Sequence, residues 1–330
     1  MLPRKPNNEL ILYLVLPCYN EEETLTYSAE ALTSKLTCLI RDEKLISEKS
    51  RILFVDDGSK DRTWDMIVQL SNAYPRQICG IHLAHNRGHQ NALLAGLMYA
   101  KDRCDITISM DADLQQDIDA IEDFLSAYRD GCEIVYGVRN SRDTDSFFKK
   151  MTAGVYYNLL KWLGSSAKRN AADYRLMSAV SLQALSEYSE VNLFLRGLIP
   201  NIGFQSGTVH FDVKMREHGT SKYTLGKMLK LAMDGITSFS IRPIRLILGL
   251  GALIFVVSLI MILIFIIDYF CGNTVPGYAT LSCSIWFLGG VQLLSIGIIG
   301  EYVGRNYEET KKRPRYFIAD TVGGDEGIGN

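Results

Sequence analysis

The sequence predicts an α/β protein: a mostly parallel sheet in the first two thirds, then an amphipathic segment and a hairpin of two transmembrane helices. Three observations predict it. Apolar runs alternate with helix-length amphipathic stretches from residue 11 to about 140, which is the rhythm of βαβ units. Polar clusters close five of those runs at the same end, where ligands bind in parallel sheets, outside the carboxyl ends of the strands. Two stretches, 246–267 and 278–300, contain no charged residue. The first is 22 residues long, about 33 Å as a helix, and spans a bilayer.

Taken in order, the strands are expected at "LILYLVLP", "RILFVDDGS", "ICGIHLAHN", "DITISMDAD" and "EIVYGVR", with helices over 21–40, 61–74, 88–101 and 117–130. The polar clusters at the strand ends are "PCYNEE", "DDGSKD", "HNRGHQ", "DADLQ" and "GVRNSR". After residue 150 come a helical stretch, "MTAGVYYNLLKWLG", then "NAADYRLMS", "FLRGLIP" and a short hairpin within "GTVHFDVKMREHGTSKY". Residues 224–241 carry apolar residues at helical spacing with Lys227 and Lys230 on the other side, a pattern suited to a membrane interface. The expected organisation is a domain over 1–222, a juxtamembrane segment over 223–245, two spans over 246–300, and a basic then disordered tail over 301–330.

Arg242 and Arg245 precede the first span; Arg305, Lys311, Lys312, Arg313 and Arg315 follow the second, and the connecting loop has no Lys or Arg. Positive residues stay on the cytoplasmic side. The expectation is therefore a multi-pass protein of the cell membrane with its large domain and both termini in the cytosol. The net charge of -2 offers nothing for nucleic acid. Seven cysteines with no C-x-x-C pair argue for reduced thiols and against a zinc site. The N-terminus shows no signal-peptide pattern.

The chemistry concentrates in "SMDADLQQD". Side chains alternate along a strand, so Asp111 and Asp113 can lean into one crevice, where two like charges need a cation or a donor-rich ligand between them. Hard oxygen ligands suit Mg²⁺ or Mn²⁺, which bridge carboxylates and a diphosphate. In "VDDGSKDRT", Gly58 permits a tight turn and Ser59 or Asp61 can cap the next helix. Asp56 and Asp57 remain to accept from ribose hydroxyls or a base N–H. No Walker or G-x-G-x-x-G loop is present, so phosphate charge must be neutralised by other means.

In order and separation, "PCYNEEE", "VDDGSKDRT", "NRGHQNALLAGL" and "DADLQ" resemble the family 2 inverting glycosyltransferases of the GT-A, Rossmann-like fold, within which the polyprenyl-phosphate glycosyltransferases are most similar. The likeness extends through "ADYRLMS", "FLRG", "REHGTSKY" and "SIGIIGEYVGRNYEETKKRPRY". It implies Pro17, Tyr19, Glu21, Asp56 and Asp57 around the nucleoside, Asp111 near the ribose or metal, and Asp113 and Gln115 on the metal and diphosphate. Arg139 would lie near the diphosphate or acceptor phosphate. Arg175, Arg216, Ser221 and Lys222 would belong to the acceptor side or a closing loop, and Asp173 would face the reacting sugar. Many relatives have an acid and two prolines where Gln116, Asp117 and Ile118 stand here; the turn should survive the change, while the following helix start is open.

The resemblance implies transfer of one sugar, with inversion, from a nucleotide-sugar such as UDP-glucose or UDP-N-acetylglucosamine to polyprenyl phosphate. A lipid phosphate is already largely ionised, its second pKa being about 6, so Asp173 has more to orient than to deprotonate. Arg139, Arg175, Lys149 and Lys150 are candidates to hold that phosphate. His85 and His89 suit a structural or donor-pocket role, and Cys18 has no neighbour that would activate it. The resemblance also suggests a homo-oligomer. Two alternatives are a processive polysaccharide synthase, for which a Q-x-x-R-W motif and further spans are missing, and a silent membrane adaptor, which would show damage at these acids and arginines.

Overall fold

The computed structural model describes residues 5–6, 9–42, 46–140, 171–190, 195–212 and 278–324, with Leu253 and Ile260 besides. Strand β1 (Leu12–Cys18) is buried along its whole length, as a run of Leu, Val and Tyr covered on both faces should be. Helix α1 (Leu25–Thr37) follows and ends in one π-helical turn, Cys38–Asp42. Then come β2 (Arg51–Asp56), α2 (Thr63–Ala73), β3 (Ile78–Leu83), α3 (His89–Ala100) and β4 (Ile106–Ser109). Strands β1 to β4 pair in parallel, β1 lying between β2 and β4. The chain therefore reverses its order at β1, which puts a crevice at the carboxyl end of the sheet there. Gly96 of α3 makes this packing close: a Cβ there would lie 2.5 Å from Val15 and 2.7 Å from Val55.

The second half of the sheet departs from the simple alternation. After a 3-10 turn (Ile118–Ala120), α4 (Ile121–Arg129) and β5 (Ile134–Arg139), strand β6 (Ala171–Ser178) inserts antiparallel between β4 and β5. Helices α5 (Ala179–Ser186) and α6 (Leu195–Asn201) follow, then β7 (Ser206–Phe211), which pairs in parallel with β5. The hairpin expected at 207–223 is thus replaced in its first half by a strand of the main sheet, and its second half lies outside the described residues. The full strand order is β7-β5-β6-β4-β1-β2-β3-β8.

The last strand corrects the expected structureless tail. Ile318–Val322 forms β8, antiparallel to β3, and Ala84 N–H donates to Phe317 C=O at 3.0 Å. Pairing with the open edge of β3 gives these backbone groups partners that a free tail would have to find in water.

The sheet and its helices form one compact unit; helix α7 (Tyr278–Lys311) falls in a second. Along α7, Leu281, Ile285, Ile296, Ile299 and Val303 are exposed. Helix α7 runs past the expected boundary at Gly300 to Lys311. The first expected span and the amphipathic segment lie outside the described residues apart from Leu253 and Ile260. Among the described residues, no helix is long and apolar enough to cross a membrane.

Candidate active site

Three loops at the carboxyl edge are laced together, and each lace uses a polar residue from the sequence motifs. The loop after β1 meets the loop after β2 through Asn20 N–H to Ser59 Oγ (2.9 Å), Lys60 N–H to Asn20 Oδ1 (2.9 Å) and Glu21 N–H to Thr63 Oγ1 (2.9 Å). The loop after β2 meets the one after β3 through Asp57, whose carboxylate accepts from the N–H groups of Arg87 (2.7 Å) and Gly88 (2.8 Å). These donors are the two residues just ahead of α3, so Asp57 fixes the chain where it enters that helix, from a distant part of the sequence. Burial raises the Asp57 pKa, against the lowering effect of those two bonds.

Asp56 is fully buried. One of its oxygens accepts from Ser59 N–H and Oγ–H, and the other lies 2.6 Å from His82 Nδ1, while the His82 ring stacks on Trp64 at 5.1 Å. Asp56 and Asp57 therefore spend their carboxylates first on shaping the loops. Gly58, directly after them, has φ +63°, and a Cβ there would meet the His85 carbonyl carbon at 2.6 Å and the Asn86 nitrogen at 2.7 Å. Because both obstacles are backbone, Gly58→Ala is expected to cost about 3 kcal/mol from strain and overpacking together, read as a lowered melting temperature. Pro17 lies at the buried end of β1, and Tyr19 just beyond it is 39% exposed. Glu21 accepts from Thr24 Oγ1–H at 3.0 Å.

The Asp111 loop is templated by Gln116, a buried residue. Its side-chain carbonyl accepts from Asp111 N–H and its amide donates to Asp111 Oδ2, both at 2.8 Å. From α1, Ser28 Oγ–H donates to Ala112 C=O at 2.6 Å. Leu114 takes φ +47°, a left-handed conformation that costs a non-glycine residue about 1 kcal/mol, and its side chain joins the core in return. Asp113 accepts from Gln115 N–H at 3.2 Å. The turn does survive without prolines: Asp117 accepts from Asp119 N–H and caps the 3-10 turn that leads into α4.

Strand β6 brings the remaining groups. Tyr174 packs between Phe124 (4.6 Å) and Phe211 (5.2 Å), and its hydroxyl donates to Asp117 C=O at 3.0 Å. With Tyr174 fixed in the core, Asp173 and Arg175 must point to the opposite face. Asp173 is gripped by a two-pronged Arg196 contact, Nε to Oδ1 at 3.1 Å and Nη2 to Oδ2 at 2.9 Å. His89 Nε2 lies 3.5 Å from Asp173 Oδ2 and 3.8 Å from Asp111 Oδ1. Burial would raise the Asp173 pKa, but the His89 and Arg196 contacts outweigh it and hold the carboxyl well below the usual carboxylate range. For Asp111 burial wins, helped by the charges of Asp173 and Asp113, and its pKa is raised despite His89 and Arg139.

The structure thus gathers Asp111, Asp113, Gln115, Asp173 and Arg139 at the ends of β4, β6 and β5, with Arg139 exposed at the tip of β5. Arg175 is set apart. It is 1% exposed, lies over the Tyr136 ring at 5.3 Å, and among the described residues nothing accepts from its Nε or Nη2. Lys149, Lys150, Arg216, Ser221 and Lys222 lie outside the described residues. Arg196 has no signal in the sequence beyond its place in "FLRG". His89, expected in a structural or donor-pocket role, lies between Asp173 and Asp111.

Among the described residues no three His, Cys, Asp or Glu side chains converge as a metal cage. The available set is one or two hard carboxylates on the Asp111–Asp113 loop. That set fits a Mg²⁺ or Mn²⁺ ion whose other ligands are diphosphate oxygens and water.

Residues 13–185 match the family model for Glycosyl transferase family 2, and 242–305 match that for the GtrB C-terminal hairpin. The chain is 52% identical over 308 residues to the uncharacterized glycosyltransferase YkoT of Bacillus subtilis, covering 93% of this chain and 91% of that one. It is 36% identical over 307 residues to the bactoprenol glucosyl transferase of Shigella phage SfX, covering 92% and 97%. Among solved structures, mannosyl-3-phosphoglycerate synthase from Rubrobacter xylanophilus is similar at 14% identity and a TM-score of 0.46, over 68% of this chain and 71% of that one. With the family model spanning β1 to α5 and relatives matched almost end to end, the chain belongs to glycosyl transferase family 2.

Proposed function

We propose that this glycosyltransferase moves one sugar from a UDP-sugar to polyprenyl phosphate at the cytoplasmic face of the cell membrane, inverting the anomeric centre and releasing UDP. The observation that carries the reading is that Asp111, on the loop it shares with Asp113, and Asp173 on the neighbouring strand converge on His89, at the crevice by the point where the sheet order reverses. The bactoprenol glucosyl transferase relative supports a lipid-phosphate acceptor. The uncharged stretches at 246–267 and 278–300, together with the match to a hairpin model, support a membrane hairpin that brings the domain to an acceptor whose tail is in the bilayer.

Asp113, with Asp111 and Gln115 beside it, would hold Mg²⁺ or Mn²⁺ on the donor diphosphate. When bound, that ion stabilises charge on the leaving group. The loops carrying Pro17, Tyr19, Glu21, Asp56 and Asp57 form the nucleoside end, and Arg139 faces phosphate at the end of β5. Lys149 and Lys150 are assigned to the acceptor phosphate, and Arg216, Ser221 and Lys222 to the acceptor side or a closing loop. The lipid phosphate oxygen attacks the anomeric carbon as the bond to the diphosphate breaks. Asp173, clamped and strongly acidic, is a poor proton acceptor and serves to orient.

Membranes containing the protein, given undecaprenyl phosphate and radiolabelled UDP- and GDP-sugars with and without EDTA, test this. Label entering the lipid from a UDP-sugar, and lost with chelator, is the expected result. Donor binding with no label in the lipid would favour a non-catalytic adaptor, and a growing polymer would favour a processive synthase.

A further inference from the structure

We infer that Arg196 and His89 are positioning residues that brace Asp173 against the Asp111 loop and so set the geometry between the donor side and the acceptor side of the site. The inference deepens the glycosyl-transfer reading and rests on it. Three elements that are distant in sequence meet here: α3 supplies His89, β6 supplies Asp173 and α6 supplies Arg196.

The contact has the form of a device rather than a stray surface pair. Arg196 uses two donors of its planar fork on the two oxygens of Asp173, which fixes the direction of the carboxylate as well as its distance. The side chain of Asp173 is only 10% exposed and that of Arg196 39%, so solvent screens the guanidinium in part while the carboxylate stays shielded. On the other side, the His89 ring fills the space between Asp173 and Asp111. A second bond ties the same two helices: Gln90, next to His89, accepts from Leu195 N–H, next to Arg196, at 2.9 Å. The start of α3 is itself held by Asp57 through Arg87 and Gly88. A continuous path of contacts therefore runs from the nucleoside end of the crevice, through His89 and Gln90, to Asp173 and Arg196.

A brace of this kind acts on turnover more than on binding. The donor's diphosphate and nucleoside meet other residues, whereas the approach of the reacting groups depends on where Asp173 and the Asp111 loop are held. Displacing reacting groups by about 1 Å costs about 100-fold in rate.

The test uses the full-length protein in membranes, comparing wild type with Arg196→Ala, Arg196→Lys, His89→Asn, Asp173→Asn and the Asp173→Asn/Arg196→Ala pair. Rates are read as label leaving a UDP-sugar, whether to lipid or to water, so an incorrect acceptor would leave the comparison intact. Arg196→Ala should lower kcat about 100-fold while KM for the donor stays within about threefold. Lysine should not rescue, because an ammonium cannot make the two-pronged contact. The double variant should be no worse than the poorer single one. Full activity in Arg196→Lys, equal losses in kcat and donor affinity, or multiplying losses in the double variant would each overturn the inference. Should Arg196→Ala lower the melting temperature sharply, Arg196→Lys and His89→Asn carry the same comparison.

Discussion

Asp113→Asn is expected to lower sugar transfer by at least about 100-fold, the scale on which removal of one group that stabilises developing charge is felt. The protein should stay folded. Asp113 lies on a loop and accepts from the neighbouring Gln115 N–H at 3.2 Å, and an asparagine carbonyl can still accept there. What asparagine lacks is the negative charge that a hard divalent ion and its diphosphate require. Calorimetry of UDP-sugar binding with and without Mn²⁺ should therefore lose its metal dependence in the variant while the melting temperature holds. Unchanged turnover would remove Asp113 from the metal assignment, and a collapsed melting temperature would make it a folding residue.

Arg175→Met is expected to raise stability by about 1–2 kcal/mol and to lower turnover. The guanidinium is buried with two nitrogens, Nε and Nη2, whose N–H groups nothing among the described residues accepts. Burial lowers its pKa, against the raising effect of Asp173. A buried charge with unmet donors is costly, and an apolar side chain of similar length that keeps contact with the Tyr136 ring is often neutral or stabilising. Residues that cost stability in this way tend to be those that serve function, and the position of Arg175 two residues along β6 from Asp173 fits that pattern. Chemical denaturation and the transfer assay read the two halves separately. Greater stability with full turnover would remove Arg175 from the acceptor side altogether, and a loss of stability would mean that an acceptor for the guanidinium lies in the chain beyond the described residues.

Much of the first half was legible in the sequence because the residues declare it locally. A fully buried parallel strand reads as a β-branched and leucine-rich run, and a strand end at a binding edge reads as a sudden polar cluster. Strands β1 to β5 and the helices between them stand where those signals lie. Strand β6 was not recognised because it carries Asp173 and Arg175 inside "AADYRLMS", and charged residues argue against a central strand. Its alternation is present, with Tyr174 and Leu176 toward the core, but the other face is occupied by site chemistry. Strand β8 was missed for the opposite reason: Gly and Asp around it read as tail, and only the open edge of β3 gives it a partner.

The sequence by itself determined the fold class, the edge on which the site lies, the Asp111–Asp113 loop and, through its ordered motifs, the family. Only the tertiary structure decided which groups engage one another. Pairing across β4 and β6 sets residues 109 and 175 side by side. That pairing, with the helix starts at 89 and 195, brings Arg196 and His89 onto Asp173 and buries Arg175, while the pairing of β2 with β3 sets Asp56 against His82 and the start of α3 takes up Asp57. The physical reason is that periodicity and turn chemistry act over a few residues, whereas the partner of a charged side chain is set by strand order and register, which join positions as far apart as Gly80 and Val322.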